Sequence, residues 1–115
     1  MNKINIKVKL DNKDMTYHYE GVAYTNKDII EYHDKEFNYK EYHYIFDKKV
    51  KRLIKSCEDT TITLDFHNEQ LKINDNNREL KMDIDVEKID INGNNIEIIY
   101  KVDKDEIKYE IKEVK

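Results

Sequence analysis

Three histidines stand in a repeated setting: His18 between Tyr17 and Tyr19, His43 between Tyr42 and Tyr44, and His33 directly after Tyr32. Brought together from neighbouring strands, three imidazoles on one face would suit zinc or another transition metal, with Glu20 or Glu41 as a fourth ligand. The alternation argues the other way. Each histidine neighbours tyrosines that read as core-facing, so the imidazoles should point to solvent, and no HxH or HExxH spacing preforms a site. Neither a metal nor a cofactor is expected.

The nine tyrosines are the larger chemical signal. Tyr17, Tyr19, Tyr24, Tyr32, Tyr42, Tyr44 and Tyr100 fall on the apolar phase of separate segments, so several should share one interior. A buried Tyr ring removes much area from water, but its hydroxyl needs a partner. Such an interior is either a core with a hydrogen-bonded network, the simpler reading, or a cavity with a few polar groups on its wall. In the second case Tyr17, Tyr19, Tyr42, Tyr44 and Tyr100 are the ligand-binding candidates, with Met15 and Phe46 facing inward beside them and His18 and His43 facing out.

Other chemistry finds little support. Glu31 with Asp34 and Glu58 with Asp59 are carboxylate pairs, but acid–base work needs one of them raised by burial, and solvated loop charge accounts for them better. Cys57 lies between Ser56 and Glu58, where a neighbouring carboxylate disfavours the thiolate that a nucleophile requires. With only Gly21 and Gly93, no glycine-rich phosphate loop can be built. The chain therefore reads as a non-enzyme.

The elements that position these residues follow from the apolar pattern. At 115 residues the chain is long enough for one core and short for two, so a single domain over 1–115 is expected. Charged residues make up 40%, yet Ile and Tyr are spread from end to end, which suits pleated strands and not disorder. Lys and Glu interleave at a net charge of -4, leaving no basic stripe for nucleic acid. One cysteine suggests a reducing, cytoplasmic compartment, and the absence of an apolar h-region or of an eighteen-residue apolar run argues against export and membrane spanning.

Period-two alternation begins with Ile4, Ile6, Val8 and Leu10, and resumes after Asp11–Asp14 with Met15, Tyr17 and Tyr19. Gly21 predicts a bulge, with the apolar face passing to Val22 and Tyr24. Further strands are expected at Ile29–Tyr32, Tyr42–Phe46, Val50–Ser56, Ile62–Phe66 and Leu71–Ile73. Lys35 to Tyr44 fits a helical stripe poorly and is read as extended. Leu80, Met82, Ile84 and Val86 hold even positions and Ile89 and Ile91 odd ones, so a bulge is expected near Glu87 and Lys88. Asn92 and Gly93 make a tight turn into Ile96–Val102, and Ile107, Tyr109 and Ile111 end the pattern. Nine or ten short strands joined by turns too short for crossovers predict an all-β antiparallel meander, closing into a lipocalin-like barrel because closure removes exposed edges.

In this order of features the chain resembles the YwiB-like family of small, uncharacterised bacterial proteins with a calycin-type β-barrel. The features that carry the resemblance are Ile4–Leu10, then Glu20, Gly21 and Tyr24 leading to Ile30 and Tyr32, Val50–Glu58, and above all Glu79–Ile91, the Asn92–Asn95 turn and Ile96–Val102. It implies a closed or nearly closed barrel and no assigned activity. Two functions are expected to compete. One is a noncatalytic module holding a small, partly apolar ligand inside the barrel. The other is an interaction or structural domain with a filled core, working through its charged surface or an edge strand such as Leu71–Ile73, a homodimer being one form of that.

Overall fold

Alternating apolar residues bury one face only when strands pair on both sides, and here they do so around a full circle. The computed structural model describes residues 1–35 and 40–115, in ten strands: β1 (Asn2–Asp11), β2 (Thr16–Thr25), β3 (Ile29–Lys35), β4 (Glu41–Asp47), β5 (Arg52–Cys57), β6 (Thr60–Asp65), β7 (Gln70–Asp75), β8 (Arg78–Asn92), β9 (Asn95–Val102) and β10 (Asp105–Val114). Each is antiparallel to the next, and β1 pairs with β10 from Asn5 opposite Val114 to Asp11 opposite Lys108, which closes the barrel. The middle of the Lys35–Tyr44 segment lies outside the described residues; from Glu41 on, the chain is strand.

The core is the set of inward-phase residues. Ile6, Val8, Ile30, Tyr32, Phe46, Ile98, Tyr109 and Ile111 are all less than 2% exposed, drawn from β1, β3, β4, β9 and β10. In β8 the bulge falls between Val86 and Lys88, so the even-numbered Ile84 and Val86 and the odd-numbered Ile89 and Ile91 all pack on one interior. This long strand also changes partner: Arg78–Asp83 pairs with β7 and Ile84–Asn92 with β9. The Glu69 carbonyl accepts from the Ile84 N–H, and its carboxylate accepts from the Val86 N–H, at that crossing.

Several turns share one device, in which a carboxylate or amide oxygen accepts the N–H groups two and three residues on. Asn12 does this for Asp14 and Met15, Asn26 for Asp28 and Ile29, Asp47 for Lys49 and Val50, and Asp65 for His67 and Asn68. Asn76 and Asn77 both take left-handed φ, as a two-residue I′ hairpin requires, and Gly93 with φ of 60° opens the β8–β9 turn.

Four local expectations are corrected. Gly21 makes no bulge: β2 stays in register with β1 from Thr16 to Thr25, and the inward phase runs on through Ala23 and Thr25. Tyr24 consequently faces out, 45% exposed. The reason lies with Tyr19, whose ring folds along the strand over Gly21 while its hydroxyl donates to the Val22 carbonyl at 2.9 Å, so a ring fills the space that a side chain at 21 would take. Leu71–Ile73 is not an edge, since β7 pairs with β6 and β8 along its length. Val50 belongs to the β4–β5 turn and is exposed, and Met15, just ahead of β2, is 49% exposed, with one side against the interior cavity instead of buried in the core.

Candidate functional site

The antiparallel register turns separate sequence positions into rows across the barrel wall. One row reads Tyr32, Tyr44, Lys55, Ile62, Ile73 and Leu80 across β3 to β8; the next reads Ile30, Phe46, Leu53, Leu64, Leu71 and Met82. At the β3–β4 end these rows are buried, and at the β8 end Leu80 and Met82 are exposed. Leu80 and Met82 lie on the part of β8 that pairs with β7 and not with β9.

Against these rows lies a cavity of about 190 Å³. Its wall is formed by Leu10, Leu53, Ile62 and Leu64, the rings of Tyr17, Tyr44 and Tyr109, and Met15 and Thr16 where β2 begins. Lys55 is the charged group on the wall. Its inward position is dictated by the phase of β5, and its ammonium lies 4.4 Å from the Tyr42 ring centroid and 5.5 Å from that of Tyr44, an arrangement in which the aromatic faces offset part of the lost hydration. An apolar wall with a few polar groups is the usual composition of a small-molecule site.

Beside the cavity the tyrosines form a stack. Tyr19 lies on Tyr32 with ring centroids 4.9 Å apart, Tyr32 on Tyr44 at 4.7 Å, and Tyr17 beyond Tyr44 at 6.5 Å. The Tyr32 and Tyr109 hydroxyls share a buried hydrogen bond of 2.8 Å, and the Tyr17 hydroxyl donates to the Asp34 carboxylate. That last bond spans a gap in the sheet, because β2 and β3 pair only at Tyr24–Glu31 and Thr25–Ile30. Burial pushes the Tyr32 phenol well above its ordinary range, reinforced by Tyr109; burial also raises Tyr109, and it lifts Tyr100 to about 12. Tyr19 is raised by burial and then by the Asp34 charge.

Of the five tyrosines singled out from sequence, Tyr17 and Tyr44 line the cavity and Tyr42 reaches it through Lys55. Tyr19 belongs to the stack, and Tyr100 is 3% exposed against the edge of Phe66, away from the cavity. Sequence reasoning missed Lys55 and Asp34 as interior charges. Their signal was present in the phase they share with Leu53 and with Tyr32, respectively.

The histidines divide. His18 is exposed beside Lys7, Lys9 and Glu110 on the outer surface of β1, β2 and β10. His33 and His43 are direct partners across β3 and β4, with rings 4.3 Å apart and 5° from parallel. His43 Nε2 lies 2.8 Å from Glu31 Oε1, and His33 Nδ1 3.2 Å from Glu41 Oε1. Both are on the outward phase of their strands, as expected of the histidines, and the register brings these two together while His18 stays apart. Among the described residues no helix is long and apolar enough to cross a membrane. Compared with family models, with curated proteins and with solved structures, the chain matches none, so its site is read from its own geometry.

Proposed function

We propose that the protein is a noncatalytic binding module of the calycin kind, holding a small, partly apolar molecule in the cavity beside the tyrosine stack. The observation that carries this reading is the composition of the wall: aliphatic groups from three strands, β1, β5 and β6, with Lys55, Thr16 and Tyr17 among its polar positions. The apolar part of a ligand would lie against Leu53, Ile62 and Leu64, and an anionic or hydrogen-bond-accepting end would turn to Lys55. The unpaired Cys57 supports a reducing, cytoplasmic setting.

A titration with 1-anilinonaphthalene-8-sulfonate, an apolar anion whose fluorescence rises on leaving water, tests this. Saturable one-site enhancement, displaced by decanoate and abolished in Leu64→Trp at unchanged secondary structure, is the expected result. Lys55→Met should weaken decanoate roughly tenfold, the scale of one charge-assisted contact of about 1.4 kcal/mol. Equal enhancement in the wild type and in Leu64→Trp would overturn the proposal. In that case the exposed Leu80 and Met82 would favour the other reading, a noncatalytic interaction domain.

A further inference from the structure

The outward face of β3 and β4 carries a second group of residues that the cavity does not use. Glu31 and His33 are two residues apart on β3 and so share that face, and the register sets His43 directly across from His33. One ligand atom from each of Glu31, His33 and His43 lies within 4.8 Å of the others. The four-coordinate zinc arrangement, with bonds of about 2.0–2.2 Å, holds neighbouring ligand atoms about 3.3–3.5 Å apart. Side-chain rotation at an exposed site can supply that difference without moving the strands.

We infer that Glu31, His33 and His43 form a binding site for a divalent transition-metal ion of the imidazole-preferring class, with zinc as its first case. Three features beyond proximity argue for it. The two imidazoles stand on adjacent, paired strands, so the backbone fixes their separation before any ion arrives. Glu41 Oε1, 3.2 Å from His33 Nδ1, accepts that ring's proton and leaves Nε2 as the free ligand atom, the outer-shell arrangement that orients metal-bound histidines. Glu31 and His43 already face each other at 2.8 Å, so an ion entering between them replaces one proton. Other groups on the surrounding face are Tyr24 opposite Glu31, Ser56 opposite His43, and one cation, Lys35, which follows His33 on the same face and stands opposite Glu41. Water completes the coordination sphere, and no chemistry on a substrate is implied.

Calorimetric titration of tag-free protein with zinc chloride at neutral pH reads this directly. One equivalent should bind, and His33→Ala and His43→Ala should each weaken it at least about tenfold, the smallest loss seen when even an outer-shell partner is removed from a metal site. His18→Ala and Cys57→Ser should leave binding unchanged. With copper(II) in place of zinc, electron paramagnetic resonance should show coupling to two nitrogens in the wild type and to one in His33→Ala. Both variants change outward-facing residues, and a circular dichroism melt confirms that they fold. Zinc binding that survives in the His33→Ala/His43→Ala double variant, or no saturable binding to the wild type, would overturn the inference. Neither result bears on the interior cavity, which this site does not touch.

Discussion

At the scale of single residues, interior polar groups decide more than their number suggests. The Tyr17 hydroxyl donates to Asp34 across the gap between β2 and β3, so removing it leaves a half-buried carboxylate short of a donor. Tyr17→Phe should therefore lower stability by about 1–2 kcal/mol, in the range for a bond to a charged group, and chemical denaturation would register the change. An unchanged midpoint would mean that water replaces the phenol. Ile98 is a different case, 0% exposed in the hydrophobic core between Ile89 and Tyr109 on the flanking strands. Ile98→Asp forces an unpaired charge into the core and should cost on the order of 4 kcal/mol. A melt close to that of the wild type would show that β9 can slip its register.

At the scale of the element, β2 shows how a glycine can serve a strand without bending it. A Cβ at position 21 would stand 2.7 Å from the Tyr19 hydroxyl oxygen and 3.0 Å from its ring carbon Cζ, so alanine must displace a ring that is also stacked on Tyr32. Gly21→Ala should destabilise by about 1 kcal/mol, the gain in strand propensity offsetting only part of the clash. In a Tyr19→Leu background the same change should be neutral or favourable, and a double-mutant cycle measures the difference as coupling. Additive effects would place the cost of alanine in the backbone, not in the ring. The β8 bulge is the complementary device: one extra residue between Val86 and Lys88 re-aims Ile89 and Ile91 at the same core as Ile84.

For the molecule as a whole, the buried phenols tie stability to alkaline pH. Tyr32, Tyr100 and Tyr109 have folded-state values raised above the unfolded value near 10, with Tyr100 at about 12. A phenol raised in the fold holds its proton while the unfolded chain gives its proton up, so the contribution is full below pH 10 and is lost as pH climbs toward 12. Tyr100 by itself accounts for roughly 2–3 kcal/mol over that window. Phenolate absorbance from the buried set should accordingly rise only as the barrel unfolds. A single early transition at constant circular dichroism would contradict the burial assigned to these rings.

Much of this barrel is legible in one sequence, for a physical reason. Period-two alternation is a local property of the strand, so the inward placement of Ile6, Tyr44, Phe46 and Ile98 and the phase change past Glu87 can be read before any partner is known. Turn chemistry is equally local, which is why Asn12, Asn26 and Asp47 mark their own loops. What depends on two strands at once was decided only by the tertiary structure. Gly21 carries no sign that the Tyr19 ring will cover it, and Tyr24 faces out as a result. The alternation identifies Lys55 as an inward residue but does not supply the Tyr42 and Tyr44 faces that accommodate its charge. His18, His33 and His43 look equivalent in sequence, each beside a tyrosine, and only the β3–β4 register pairs two of them and leaves the third apart. The cavity too is a tertiary fact, because its wall combines side chains from β1, β2, β4, β5, β6 and β10 that only barrel closure brings together.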